Sequence, residues 1–79
     1  MEKEMEKEKI ILDNSILKFE GEYLNGIKNG EGKKYYYNNK LEYEGEFLNG
    51  DRNGKGKEYD VYDTLKFEGE YLNGKKWKK

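Results

Sequence analysis

The chain has 79 residues, with 17 acidic and 16 basic side chains and a net charge of −1. That is room for one small domain, and the charge balance excludes an overall electrostatic drive toward nucleic acid or an anionic membrane. With no cysteine and no histidine, disulfides, the usual zinc sites, thiol nucleophiles and imidazole bases are excluded as well.

Leu, Ile, Val and Phe make up only 15 of 79 residues, while 42% are charged. That composition lies near the disorder boundary. The near-zero net charge and the eight Tyr, three Phe and one Trp argue for a folded chain. With so few aliphatics, stability needs help from repetition, a partner or self-association. The longest apolar run is Ile10-Ile11-Leu12, too short for a transmembrane helix or a signal-peptide core. The expected setting is cytoplasmic, in solution or at the periphery of a membrane or the cytoskeleton.

In chain order, residues 1–8 (MEKEMEKE) form a charge-alternating tail, disordered or a marginal helix. Residues 9–16 read as a degenerate half-repeat, with a strand over 9–13 and a turn at Asn14-Ser15-Ile16. Residues 17–40 (LKFEGEYLNGIKNGEGKKYYYNNK), 41–64 (LEYEGEFLNGDRNGKGKEYDVYDT) and 65–79 (LKFEGEYLNGKKWKK) then repeat with a period of 24. Gly21, Gly45 and Gly69 share one position, and Asn25, Asn49 and Asn73 another. A fixed period of this length is the signature of a repeat architecture.

Inside each unit the local signals are β. LKFEGEYL alternates apolar and charged residues, as a half-buried strand does. Asn-Gly follows twice, at Asn25-Gly26 with Asn29-Gly30 and at Asn49-Gly50 with Asn53-Gly54. Both residue types accept positive φ, so both pairs predict hairpin turns. The second strand is then expected over 31–37 and again over 55–61. No proline interrupts a ladder.

Three-residue loops at 38–40 and 62–64 bring apolar residues into register. Tyr35 then faces Tyr43, Tyr37 faces Leu41, Tyr59 faces Phe67, Val61 faces Leu65 and Ile11 faces Phe19. Such cross-strand pairs stabilise by roughly 0.2–1 kcal/mol each. The same register lays Tyr35 over Gly21 and Tyr59 over Gly45, rings on bare backbone. Its flaw is Glu46 facing Glu58. One face would carry Leu17, Phe19, Tyr23, Tyr35, Tyr37, Leu41, Tyr43, Phe47, Tyr59, Val61, Leu65, Phe67 and Tyr71. The other would carry Lys18, Glu20, Glu22, Lys34, Glu42, Glu44, Glu46, Glu58, Lys66, Glu68 and Glu70.

The run Tyr43-Glu-Gly45-Glu-Phe47-Leu-Asn-Gly50-Asp-Arg-Asn-Gly54-Lys-Gly56, at its 24-residue spacing, resembles a MORN repeat. The resemblance covers nearly all of residues 17–79, as about two and a half repeats. It implies an elongated, twisted single-layer antiparallel sheet of serial β-hairpins with a groove. It makes Gly21, Gly26, Gly30, Gly32, Gly45, Gly50, Gly54, Gly56, Gly69 and Gly74 structural. It also implies scaffolding, dimerisation or partner binding, a proposed association with membrane lipid, and no catalysis by the repeats themselves. The third unit departs from the pattern: Trp77 stands where Asn53 does and Lys78 where Gly54 does. The array is therefore a piece of a longer one or a short one with irregular caps.

The sharper chemical readings fail on composition or spacing. Glu20/Glu22, Glu44/Glu46 and Glu68/Glu70 pair carboxylates on one solvated face, not across a cleft. Asp51-Arg-Asn53-Gly54 lacks calcium-loop spacing, with Tyr62 where the bidentate Glu would stand. Gly30-Glu-Gly32 and Gly54-Lys-Gly56 lack the helix and the lysine motif of a phosphate cradle. Ser15 and Thr64 have no base. No catalytic residue, metal ligand, cofactor, small-molecule substrate or nucleic acid is expected.

A lone apolar face must curl, dimerise or take a partner. The expected function is a non-enzymatic scaffold that binds a protein, such as an amphipathic helix, or a second copy of itself. The face assigned to this is Phe19, Tyr23, Tyr35, Tyr37, Tyr43, Phe47, Tyr59, Phe67 and Tyr71, which the tail would fill in cis where no partner does. The alternative is a peripheral membrane adaptor contacting anionic phospholipid through Lys75, Lys76, Trp77, Lys78 and Lys79.

Overall fold

Asn-Gly pairs between β-forming runs dictate tight hairpins, and three of them do so here. The computed structural model describes residues 5–14 and 16–79. Asn25-Gly26 (φ 53° and 79°), Asn49-Gly50 (52° and 87°) and Asn73-Gly74 (51° and 86°) each hold two successive positive φ angles, as a type I′ turn requires. The strands are β1 (Met5–Asp13), β2 (Ile16–Leu24), β3 (Ile27–Tyr35), β4 (Leu41–Leu48), β5 (Asp51–Tyr59), β6 (Leu65–Leu72) and β7 (Lys75–Lys78). They pair antiparallel in chain order as one open sheet, with no helix among the described residues. β1 begins at Met5, so residues 5–8 are strand where a tail was expected. Residues 1–4 of that tail lie outside the described residues.

The second Asn-Gly pair of each unit is not a turn. Asn29-Gly30 and Asn53-Gly54 sit within β3 and β5, at breaks in the ladder with the preceding strand. Opposite each break stands one glutamate. Glu22 Oε1 accepts a hydrogen bond from Glu31 N at 2.9 Å, and Glu46 Oε2 one from Lys55 N at 3.2 Å. Gly30 and Gly54, at φ 108° and 100°, leave space for those carboxylates, since a Cβ at either would run into the facing glutamate. These are β-bulges, each with an acidic side chain as its plug. Asn53 has a second use: its Oδ1 accepts a bond from Asn73 N of the following turn at 3.0 Å.

The loops at the other end are also longer than expected. Tyr36 N donates to Lys40 O at 2.8 Å and Asp60 N to Thr64 O at 2.9 Å, closing five-residue loops over 36–40 and 60–64. The pairs formed are Lys34 with Tyr43, Tyr35 with Leu41, Glu58 with Phe67 and Tyr59 with Leu65, around a bulge in each hairpin. Of the five expected apolar pairs, only Ile11 with Phe19 is present. Glu46 faces Glu31 rather than Glu58.

What the register does align is glycine. Gly21 pairs with Gly32, Gly32 with Gly45, Gly45 with Gly56 and Gly56 with Gly69, a bare row across five strands. Aromatic rings lie on it, as expected in kind but not in identity. Phe19 covers Gly32 and Tyr43 covers Gly56, where Tyr35 and Tyr59 were expected over Gly21 and Gly45. A Cβ on Gly32 would stand 2.6 Å from Phe19 Cζ. The molecule measures 43 × 33 × 14 Å, one layer of sheet with side chains on both sides.

Gly56→Ala should therefore destabilise by about 3 kcal/mol, since the methyl group displaces the Tyr43 ring from a packed site. Gly26→Ala, in an open turn, should cost about 1 kcal/mol for its positive φ alone. Urea unfolding followed by far-UV circular dichroism would rank the two. Equal losses would show that the rings do not depend on the glycine row.

Candidate functional site

The residues buried most deeply are six rings on one face: Phe19, Tyr23, Tyr43, Phe47, Phe67 and Tyr71, all at 9% exposure or less. Each unit supplies two of them, four residues apart on the same side of a strand. They meet edge to face in one zigzag, Tyr23–Phe19–Phe47–Tyr43–Tyr71–Phe67, with centroids 5.2–5.7 Å apart. This is the favoured aromatic geometry, contributing roughly 0.5–1.5 kcal/mol per contact beyond area burial. Tyr43 is fully buried (0%) and donates its hydroxyl to Glu46 O at 3.0 Å.

A column of cations covers the rings. Lys28, Arg52 and Lys76 occupy the same repeat position, 24 residues apart. Lys28 Nζ lies 4.4 Å from the Phe19 centroid, Arg52 Cζ 4.4 Å from that of Tyr43, and Lys76 Nζ 5.3 Å from that of Phe67. Carboxylates knit the column together. Glu42 bonds Arg52 at 3.2 Å, and Glu58 reaches Arg52 at 3.8 Å and Lys76 at 3.3 Å. Burial lowers the Lys28 pKa, and the neighbouring Lys34 and Arg52 charges lower it further. The ring face is thus a closed layer, with aromatic edges below and a charge network above.

The nine residues assigned to a single aromatic surface divide three ways. Six form the buried zigzag. Tyr35 and Tyr59 lie on the opposite face, where the Tyr35 hydroxyl donates to Glu20 at 2.9 Å and that of Tyr59 points to Glu44 at 3.5 Å. Tyr37 is in a loop, 75% exposed. Lys34, Glu42 and Glu58, assigned to the charged face, are on the ring face instead. The cause is the five-residue loop with its bulge, which moves residues at the ends of β3 and β5 to the other side of the sheet. Of the C-terminal basic cluster, Lys76 is tied to Glu58, while Trp77 is 58% exposed.

The open face carries an alternating ladder, Glu20–Lys33–Glu44–Lys57–Glu68, each residue opposite the next. Two shallow concavities adjoin there and share Glu44. One, of about 540 Å³, is lined by Lys55, Lys57, Glu68, Glu70 and Lys79 over Gly56 and Gly69. The other, of about 220 Å³, is lined by Glu20, Glu22, Glu31 and Lys33 over Gly21 and Gly32. The expected groove therefore lies on the charged side of the sheet. The cation column was legible in the sequence as a repeat position that is basic in all three units, although alternation alone did not single it out.

Four phenols titrate late, Tyr36 among them through burial and the nearby Glu42, Glu58 and Asp60 charges. Tyr35 is pushed up to about 12 by burial and its bond to Glu20, Tyr43 to about 12 by burial and the nearby Tyr71, and Tyr71 to about 12 by burial and its bond to Glu58. In the unfolded chain a phenol ionises near pH 10. The stability these groups contribute is complete below pH 10 and is lost as pH rises toward 12. A phenolate absorbance titration should show a late component whose midpoint coincides with loss of sheet dichroism. Release of all eight tyrosine protons near pH 10 with the sheet intact would contradict it.

The MORN repeat family model matches residues 19–40, 43–61 and 67–77, more than half of the chain. No curated protein and no solved structure matches it. The matched segments hold the six stacked rings, the three cations above them and the whole glycine row beneath. By its matched sequence and its open sheet of serial hairpins, the chain belongs to the MORN repeat family.

Proposed function

We propose that the chain is a non-enzymatic scaffold that binds a protein partner on the face opposite the stacked rings. One observation carries this reading. The ring face closes on itself, with every ring of the zigzag buried by its neighbours and Phe19, Phe47, Tyr43, Tyr71 and Phe67 beneath a cation, while the open face keeps two adjoining concavities. A 14 Å layer has a second side that nothing among the described residues covers. The rings supply rigidity, and the carboxylates and lysines of the open face supply recognition.

A peripheral membrane reading rests on Trp77, exposed among Lys75, Lys76, Lys78 and Lys79 on β7. Lysines near an anionic surface contribute about 1 kcal/mol each, and salt screens that attraction.

Two experiments separate the readings. The immobilised chain should retain protein from a lysate of its source cells at high salt, and the double variant Glu20→Lys/Glu44→Lys should lose it while staying folded. In parallel, the chain should not sediment with phosphoinositide vesicles at either low or high salt. Salt-sensitive sedimentation with anionic vesicles, and no salt-resistant protein capture, would overturn the scaffold in favour of the membrane adaptor.

A further inference from the structure

The type I′ turns hold a feature that neither the ring stack nor the concavities use. Each turn is flanked by an apolar residue just before the Asn-Gly pair: Leu24, Leu48 and Leu72, with Ile27 after the first pair. The pairs Tyr23–Lys28, Phe47–Arg52 and Tyr71–Lys76 are on the ring face, so the next pairs outward, Leu24–Ile27, Leu48–Asp51 and Leu72–Lys75, project to the open face. Leu24 is half-buried, while Leu48, Leu72 and Ile27 are 47%, 46% and 49% exposed. Ile27 reaches toward the neighbouring turn, its Cγ2 3.7 Å from where a Cβ on Gly50 would stand. The turns are also fixed to one another, with Gly50 N donating to Lys28 O at 2.9 Å and Gly74 N to Arg52 O at 2.8 Å.

Single exposed leucines are ordinary. These recur at one repeat position, on one face, on consecutive turns held in register. Their spacing is that of alternate strands, about 9.5 Å. Seven residues of α-helix rise about 10.5 Å. A helix lying across the turns, perpendicular to the strands, would therefore meet successive leucines with residues seven apart. The twist of the sheet turns the far end of the row away, so two or three turns engage one straight helix.

The charge beside the ridge indicates the partner's flanks. The next row inward on the open face runs Glu22, Glu31, Glu46, Lys55, Glu70 and Lys78, so beside Leu24, Ile27 and Leu48 its first three positions are all acidic.

Resting on the scaffold reading, the geometry points to a ridge formed by Leu24, Ile27, Leu48 and Leu72 that docks an amphipathic helix of a partner protein, apolar at heptad spacing and basic beside its apolar stripe. The helix supplies leucine-like side chains to the ridge and ammonium or guanidinium groups to Glu22 and Glu46.

The probe is a synthetic 21-residue helical peptide with leucine at heptad positions and lysine beside them, titrated into the full chain and followed by amide chemical shifts. Shifts should move at residues 24, 27, 48 and 72. The triple variant Leu24→Ser/Leu48→Ser/Leu72→Ser, folded by circular dichroism because these side chains are outside the ring stack, should bind at least about tenfold more weakly. That factor corresponds to about 55 Å² of lost apolar contact. A peptide of the same composition with its leucines off the heptad should bind as weakly as the variant does to the first peptide. Equal affinity of the triple variant, equal binding of the shuffled peptide, or shifts confined to the 36–40 and 60–64 loops would overturn the ridge. So would sedimentation showing that the wild type dimerises and the triple variant does not, which would assign the ridge to a second copy. Shifts confined to the concavities would overturn the ridge while leaving the scaffold reading intact, whereas failure of the lysate capture would overturn the scaffold reading itself.

Discussion

A single sheet has no second layer against which to bury its apolar side chains, and this chain meets that constraint with the contact between aromatic rings and glycine backbone. The row Gly21–Gly32–Gly45–Gly56–Gly69 removes every Cβ along one line across the sheet. Phe19, Tyr43 and Phe67 lie on that line, and Tyr23, Phe47 and Tyr71 stand roughly perpendicular to them. The two sets meet edge to face, and six rings reach 9% exposure or less in a protein 14 Å thick. The low aliphatic content stops being a deficit, because Tyr and Phe remove large areas from water without a facing layer. The cations follow from the same geometry. A horizontal ring offers its negative face upward, and Lys28, Arg52 and Lys76 occupy it.

The bulges set how the rings are aimed. Each turn needs a type I′ pair, and each ring pair needs its two strands aligned at the glycines. Those two demands do not fit one uninterrupted ladder. The extra residues at Asn29-Gly30 and Asn53-Gly54 absorb the difference, and Glu22 and Glu46 satisfy the amide groups left over. This gives the acidic positions a structural role that their solvated alternation would not have indicated. It also explains why Asn-Gly occurs twice per unit: one pair reverses the chain, and the other lets it bend.

Much of the fold was legible in the sequence. The 24-residue period, the alternation of LKFEGEYL and the Asn-Gly pairs gave serial hairpins in one sheet, with Phe19, Tyr23, Tyr43, Phe47, Phe67 and Tyr71 on one side. The register of β3 and β5 was not legible, and the reason is physical. Lys33, Lys34, Tyr35, Tyr36 and Tyr37 offer no clean alternation, so pairing by apolar matches favoured tyrosine against tyrosine. Backbone hydrogen bonds in the 36–40 and 60–64 loops, and the close approach of glycine to glycine, decided otherwise. A shift of one residue then moved Tyr35 and Tyr59 to the opposite face and brought Glu42 and Glu58 to the rings. The nine residues expected on one aromatic face divide for the same reason, Tyr35 and Tyr59 turning to the opposite side and Tyr37 to a loop.

A core that closes on itself leaves most of the remaining surface free of packing duty, with Glu22, Glu46 and the Asn-Gly turns keeping structural roles. Each hairpin touches only its neighbours, through ring contacts on one face and turn-to-turn bonds such as Gly74 N to Arg52 O at one end. Positions that point away from the rings, at the turns and on the open face, can change without disturbing the zigzag. They nonetheless stay in fixed register, because the turns are bonded to one another. A side chain placed at one repeat position is therefore presented again every second strand. That coupling of a rigid interior to a periodic exterior follows from the rings lying flat on glycine, and it would be lost in a sheet whose apolar face had to wait for a partner to cover it.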